Sequence, residues 1–150
     1  MNPQLTIDPK AKPSDTKVMI VDDDHFILNM YKIKFEHAGF DIKTAANGQE
    51  ALDIAHTGYV PHVLLVDILM PVMGGIEFLQ HIREEKLFEH VPIIVLSNQS
   101  QSTDISEAMK LGVKSYIVKA TTVPSEIVEE IKNMFSLPAT PPEAPINLNK

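Results

Sequence analysis

Asp22-Asp23-Asp24, Asp67, Ser97 and Lys119 owe their chemical interest to position, because each directly follows a short apolar run. An acidic triplet alone reads as a solvated turn, with Asp24 capping the helix that follows. Asp67 alters that reading if neighbouring strands bring it beside the triplet. Two carboxylates about 4 Å apart repel by roughly 4 kcal/mol at an effective dielectric near 20, and one lysine cannot offset three of them. A hard divalent cation can, and Mg²⁺ suits one or two carboxylates together with waters and a phosphate. Asp67 is then a natural phosphoryl acceptor, since attack by a carboxylate needs chiefly positioning and charge neutralisation. Lys119 supplies a second counter-charge, and Ser97 can donate a hydrogen bond to a phosphoryl oxygen.

The elements that must hold these groups are legible in the apolar pattern. Val18–Val21, Val63–Val66, Ile93–Leu96 and Tyr116–Val118, with a weaker run around Phe40–Thr44, predict strands buried on both faces. Between them the spacing is helical. Phe26, Met30 and Ile33 form one expected core stripe, Ile105 and Met109 (with Leu111 slightly out of phase) a second. Val123, Ile127, Ile131 and Met134 form the clearest, with Glu126, Glu129, Glu130 and Lys132 on the opposite side. Gly39, Gly58 and Gly112 fall where helices should stop, and Gly74-Gly75 precedes a helix over Ile76–Glu85. Five strand–helix repeats predict an α/β fold, a parallel sheet with helices on both faces. Function in such sheets collects at the carboxyl ends of the strands, where the polar groups above fall.

Composition narrows the classes. The 150 residues suffice for one domain, and 44% hydrophobic with 22% charged residues is ordinary globular usage. The absence of Cys excludes disulfides and thiolate chemistry. No apolar run approaches the roughly 18 residues of a membrane span, and the N-terminus lacks the features of a signal peptide. A cytoplasmic protein that does not bind membranes is expected. The net charge of −7 belongs to the middle of the chain and argues against direct DNA binding. Seven of the eleven prolines lie near the ends, so residues 1–16 and 136–150 are expected to be disordered around a folded unit of 17–135. The six histidines are scattered without ligand spacing, and the seven methionines read mostly as core.

VMIVDDD, VDILMPVMGG, PIIVLSN and SYIVK, in that order and over five βα units, resemble the receiver domain of bacterial response regulators. The resemblance covers nearly all of Lys17–Phe135. It implies a flavodoxin-like (βα)5 doubly wound sheet of strand order 2-1-3-4-5. It implies Mg²⁺ as cofactor, bound directly by Asp23, largely through water by Asp22, and by Asp67 and the backbone carbonyl of Leu69. Asp67 would be the phosphorylated residue, Ser97 the switch hydroxyl, Tyr116 the switch aromatic and Lys119 the phosphate-contacting lysine. Tyr116 taken alone would equally suit a static core aromatic with a solvated hydroxyl. By the same resemblance the protein is a stand-alone regulator of the chemotaxis type, catalysing only its own phosphorylation and dephosphorylation. Its implied partners are a sensor histidine kinase or phosphotransfer protein and a downstream protein target. The target would meet a face built from the fourth helix, fifth strand and fifth helix, which is also the implied face of a phosphorylation-dependent homodimer.

Three residues depart from the family pattern. Lys119-Ala120 stands where relatives have Lys-Pro, usually cis. A cis bond to a non-proline costs about 2.5–4 kcal/mol, so a trans bond and a rearranged loop are expected. Leu69 is apolar where many relatives are polar, which predicts slow self-dephosphorylation unless Gln99 near the site compensates. Asn98 replaces a small residue and either narrows access to the site or points outward from a loop. Rival functions fare worse. An aspartate-nucleophile phosphatase wants a second acid two residues after the nucleophile, where this chain has Leu69. An FMN carrier wants a hydroxyl-rich phosphate loop where Asp22–Asp24 would repel the phosphate. A degenerate receiver that docks a partner without phosphorylation is the remaining alternative.

Overall fold

Five strands and five helices alternate along the chain: β1 (Lys17–Val21), α1 (His25–His37), β2 (Asp41–Ala45), α2 (Gly48–His56), β3 (Val63–Asp67), α3 (Gly75–Glu84), β4 (Ile93–Ser97), α4 (Ser102–Lys110), β5 (Ser115–Val118) and α5 (Pro124–Phe135). The computed structural model describes residues 16–97, 102–119 and 122–135. The expectations for the two ends, for Asn98, for Gln99 and for the Lys119-Ala120 bond lie outside the described residues. All strand pairs are parallel, in the order β2-β1-β3-β4-β5. This is the doubly wound α/β architecture that the sequence resemblance implied.

Side chains alternate across the sheet with the period of two that a pleated strand imposes. Met19, Val21, Leu64, Val66, Ile93 and Val95 face α2, α3 and α4, packing on Leu52, Phe78, Leu79, Ile82 and Ala108. Val18, Ile20, Val63, Leu65, Ile94 and Leu96 face α1 and α5, packing on Phe35, Ile127 and Ile131. Each fully buried large apolar side chain contributes roughly 1.5–3 kcal/mol, so the central strands anchor both layers. β2 and β5 are the sheet edges, and both are less completely covered.

The helix ends follow their local signals. Asp24 caps α1 by accepting hydrogen bonds from the backbone N–H groups of Phe26 at 2.9 Å and Ile27 at 3.2 Å. Asn47 caps α2 through Glu50 N–H at 2.9 Å. Gly39, Gly58 and Gly112, at the ends of α1, α2 and α4, hold φ of 95°, 94° and 84°, a region that favours glycine.

One stripe faces the other way from the sequence expectation. In α1 the buried residues are Leu28, Tyr31 and Phe35, whereas Phe26 is 77% and Ile33 51% exposed. The helix carries two apolar stripes of similar spacing. The Asp24 cap and the short β1–α1 turn set its phase, and that phase turns the longer aromatic stripe onto the sheet. In α4 the inward residue is Ala108, and Met109 is exposed. Val123 at the start of α5 is also exposed, while Ile127 and Ile131 are fully buried as the spacing predicted.

Candidate functional site

Register brings the carboxylates together. Val21 of β1 lies beside Val66 of β3, so the next residue on each strand, Asp22 and Asp67, emerge side by side at the carboxyl edge of the sheet. Ser97 ends β4 beside Val118 of β5, and Lys119 follows directly. Asp22, Asp23, Asp24, Ile27, Asp67, Leu69, Ser97 and Lys119 line one cleft of about 300 Å³.

Within the cleft the roles divide. Asp22 is wholly buried; one of its oxygens accepts from Asp24 N–H at 3.0 Å and the other from Lys119 Nζ at 2.6 Å. Asp67 accepts from Ile68 N–H at 2.8 Å through one oxygen and from Lys119 Nζ at 3.3 Å through the other. Asp23 is exposed, and one oxygen each of Asp22, Asp23 and Asp67 lie within 4.8 Å of one another. Asp24 is engaged as a helix cap. Ser97 is buried and lines the cleft, as does the exposed Leu69. Tyr116 stands outside the cleft lining, half-buried on β5 against the cluster beneath α3 and α4.

The electrostatics match this geometry. Burial pushes the Asp67 carboxyl up to about 6 from an ordinary 3.8; the Lys119 ammonium opposes that shift and the Asp22 carboxylate adds to it. Burial pulls Lys119 down, but its hydrogen bond to Asp22 and the nearby carboxylate charges outweigh this, and the net shift is upward. A single buried cation is thus shared between two buried carboxylates, with a third at the rim. The donor set is all oxygen, open to solvent at Asp23 and short of positive charge, which fits a hard divalent cation such as Mg²⁺.

Gly75 supports the site from beneath. Its N–H donates to the Ile68 carbonyl at 2.8 Å, and a β-carbon there would lie 2.1 Å from the Asp67 carbonyl oxygen. The sequence showed only a glycine pair before a helix; the contact that requires glycine is tertiary. Arg83 is a second residue without a sequence signal. It reaches from α3 to the carboxyl end of α4, donating to the Leu111 carbonyl at 2.7 Å, where a cation also favours the helix dipole.

The sequence pattern of the response regulator receiver domain matches residues 18–132. The chain belongs to that family. This receiver is 31% identical over 116 residues to the alkaline phosphatase synthesis transcriptional regulatory protein PhoP of Bacillus subtilis, covering 77% of this chain and 47% of that one. It is 35% identical over 119 residues to the transcriptional regulatory protein SrrA of Staphylococcus aureus, covering 79% and 47%. The chain therefore spans about half the length of the curated relatives it matches. Among solved structures it resembles the Vibrio cholerae chemotaxis protein CheY4, with a TM-score of 0.71 and 29% identity over 79% of this chain and 98% of that one. It likewise resembles the CheY-like receiver domain protein of Methanospirillum hungatei, with a TM-score of 0.72 and 26% identity over 80% and 93%. The receiver domain is a signalling module of two-component response regulators. Among the described residues no helix is long and apolar enough to cross a membrane.

Proposed function

We propose that this receiver accepts a phosphoryl group on Asp67 in a Mg²⁺-dependent reaction and signals through the resulting change in its surface. The observation that carries the reading is the convergence of Asp22, Asp23 and Asp67 around one shared lysine. Asp23, Asp67 and the Leu69 backbone carbonyl are the proposed metal ligands, with Asp22 acting largely through water. Bound there, Mg²⁺ supplies the positive charge that lets a phosphoryl group approach the carboxylates. An Asp67 oxygen forms the new bond to phosphorus as the bond to the donor nitrogen of a phosphohistidine breaks, its electron pair returning to the imidazole. Lys119 turns from Asp22 toward a phosphoryl oxygen, and Ser97 donates a hydrogen bond to another.

Contacts made only with the phosphoryl group provide the differential stabilisation that a two-state switch needs. The inward shift of Ser97 frees space for Tyr116, whose half-buried place on β5 beside Val95 suits it to carry the change to the face of α4, β5 and α5. That face is the proposed surface for a downstream target and for a phosphorylation-dependent homodimer. The phosphodonor would dock on the other side of the cleft, where α1 presents Phe26 and Ile33 and the β3–α3 loop presents Leu69 and Val72, all exposed apolar residues. Cytoplasmic location belongs to the same proposal.

Intact mass after incubation with a small phosphodonor and Mg²⁺ tests the reading. A single phosphoryl adduct is expected, and chelation of the metal should abolish it. A folded protein that takes no adduct from the small donor or from a histidine kinase would leave a phosphorylation-independent docking module as the function.

Two further outcomes follow from the site. Metal binding requires Asp67 ionised, and its carboxyl titrates near 6 in the metal-free protein. Mg²⁺ affinity, measured by fluorescence or calorimetric titration, should be level above neutral pH and fall by up to about tenfold per unit below pH 6. Leu69 lines the cleft and its own side chain offers no polar group to orient an attacking water. Leu69→Asn should shorten the lifetime of the phosphorylated protein several-fold; an unchanged lifetime would remove Leu69 from the account of slow dephosphorylation.

A further inference from the structure

Gly48 opens α2 at a point where the backbone itself asks for no glycine. Its φ lies outside the left-handed region, unlike those of Gly39, Gly58 and Gly112. The demand comes from across the molecule. A β-carbon at Gly48 would lie 2.7 Å from the Met73 carbonyl oxygen, 2.9 Å from the Met73 γ-carbon and 3.0 Å from the Gly74 carbonyl oxygen. Met73 and Gly74 belong to the β3–α3 loop, the segment that also brings Leu69 to the cleft. With no side chain in the way, the Gly48 N–H donates to the Met73 carbonyl at 2.8 Å. The first N–H groups of a helix have no partner within it. Here the loop supplies one from outside, while the Asn47 side chain serves Glu50.

The loop is held at both ends. Met73 is buried in the same cluster as Ala51 and Leu52 of α2, and the Gly75 N–H donates to the Ile68 carbonyl at 2.8 Å. Between Ile68 and Met73 lies a turn that would not form unaided. The Met73 N–H donates to the Pro71 carbonyl, two residues back, at 2.7 Å, and Val72 between them has a φ of 69°. That is a rare and strained conformation for a β-branched residue. Val72 is 81% exposed, so its own side chain gains little there. Strain of this kind persists where the surroundings over-determine the backbone. The Gly48–Met73 contact and the Gly75–Ile68 bond do that here.

We propose that Gly48 is a positioning residue for the metal site: its contact with Met73 fixes the β3–α3 loop, and with it the Leu69 backbone carbonyl, against the start of α2. That helix thereby supports the site although none of its residues lines the cleft. The inference rests on the Mg²⁺ reading of the acidic cleft. Coupling between a support and a ligand is reciprocal. If the Gly48–Met73 bond strengthens Mg²⁺ binding, then bound Mg²⁺ strengthens that bond.

Mg²⁺ affinity and denaturant midpoint, measured on Gly48→Ala and Gly58→Ala, separate positioning from helix stability. The two glycines stand at opposite ends of α2, and an added carbon at Gly58 meets nothing within 4 Å. Both variants should unfold at lower denaturant. Gly48→Ala alone should bind Mg²⁺ more weakly, by about threefold to tenfold, the range of one net hydrogen bond. Wild-type affinity in Gly48→Ala would mean that α2 gives way instead of the loop, and would overturn the proposal. Should Gly48→Ala fail to fold, amide hydrogen exchange of the wild type decides. With saturating Mg²⁺ the Gly48 N–H should exchange several-fold more slowly, and the Gly58 N–H, bonded to Ala55 at the other end of the helix, should change less. No slowing at Gly48, or equal slowing at both, would overturn the proposal. A wild type that binds no Mg²⁺ would remove the metal reading and the positioning role together; a wild type that binds it no better than Gly48→Ala removes the positioning role alone.

Discussion

Asp67→Asn is expected to take no phosphoryl adduct and, without metal, to be harder to unfold than the wild type. The first effect is the largest expected on activity, because the amide has no free carboxylate oxygen to attack phosphorus. The second follows from linkage. The Asp67 carboxyl holds its proton up to about pH 6 in the folded protein, against an ordinary 3.8. The folded state therefore binds the proton more tightly than the unfolded state does. The stability this contributes is complete below about 3.8 and is lost as pH rises through about 6. At neutral pH the ionised carboxylate is a burden on the fold, buried beside Asp22 with half a share of Lys119. A shift of this size caps the gain from neutralising it at about 3 kcal/mol. Asparagine keeps an acceptor for the Ile68 N–H and leaves Lys119 to Asp22, so about 1–2 kcal/mol of that ceiling should appear. Urea unfolding at pH 7.5 with a chelator measures it. Repeating the pair at pH 5 should shrink the difference, and excess Mg²⁺ should shrink it too, because the wild type binds the ion more tightly. A variant less stable than the wild type under metal-free conditions would mean that the carboxylate is better compensated than its surroundings indicate.

Gly75→Ala is expected to cause the largest loss of stability among single methyl additions in this protein. The added carbon would sit 2.1 Å from the Asp67 carbonyl oxygen and 3.0 Å from the Ile68 α-carbon, both backbone atoms that cannot rotate aside. Either α3 moves away from the end of β3 or the β3–α3 loop shifts, and the Gly75 N–H bond to Ile68 is strained in both cases. Overpacking of this kind costs about 3 kcal/mol or more. Because the loop that yields carries Asp67 and Leu69, the rate of adduct formation should fall with the stability. Gly58→Ala is the internal control. Nothing lies within 4 Å of its added carbon, and only the φ of 94° opposes the side chain, so its cost should stay near 1–2 kcal/mol. Equal denaturant midpoints for the two variants would show that the contact at Gly75 relaxes more easily than its backbone partners allow.

Much of this protein was legible from residue order alone. Val18–Val21, Val63–Val66 and Ile93–Leu96 could only be strands covered on both sides, since short β-branched runs flanked by polar residues have no exposed face to offer. Alternation with helices then required parallel strands, and parallel strands gather their carboxyl ends at one edge. That is why Asp22, Asp67, Ser97 and Lys119, far apart in sequence, were expected together and line one cleft. The Asp24 cap was likewise readable, because it depends only on the few residues that follow it.

Tertiary structure decided the rest. The spacing of α1 favoured Phe26, Met30 and Ile33 as its inner face, and packing chose Leu28, Tyr31 and Phe35. Two stripes of similar period differ only in which one the preceding turn aims at the sheet. The sequence assigned Lys119 to the phosphate; the structure has it closest to Asp22, the more deeply buried of the two carboxylates it shares. The upward shift of Asp67, the need for glycine at position 75 and the reach of Arg83 to α4 share one character. Each depends on distances between residues that are remote in sequence. Local pattern specifies which element a residue joins and which edge it approaches; burial, register and neighbouring backbone then determine its charge state, its partners and the space it has.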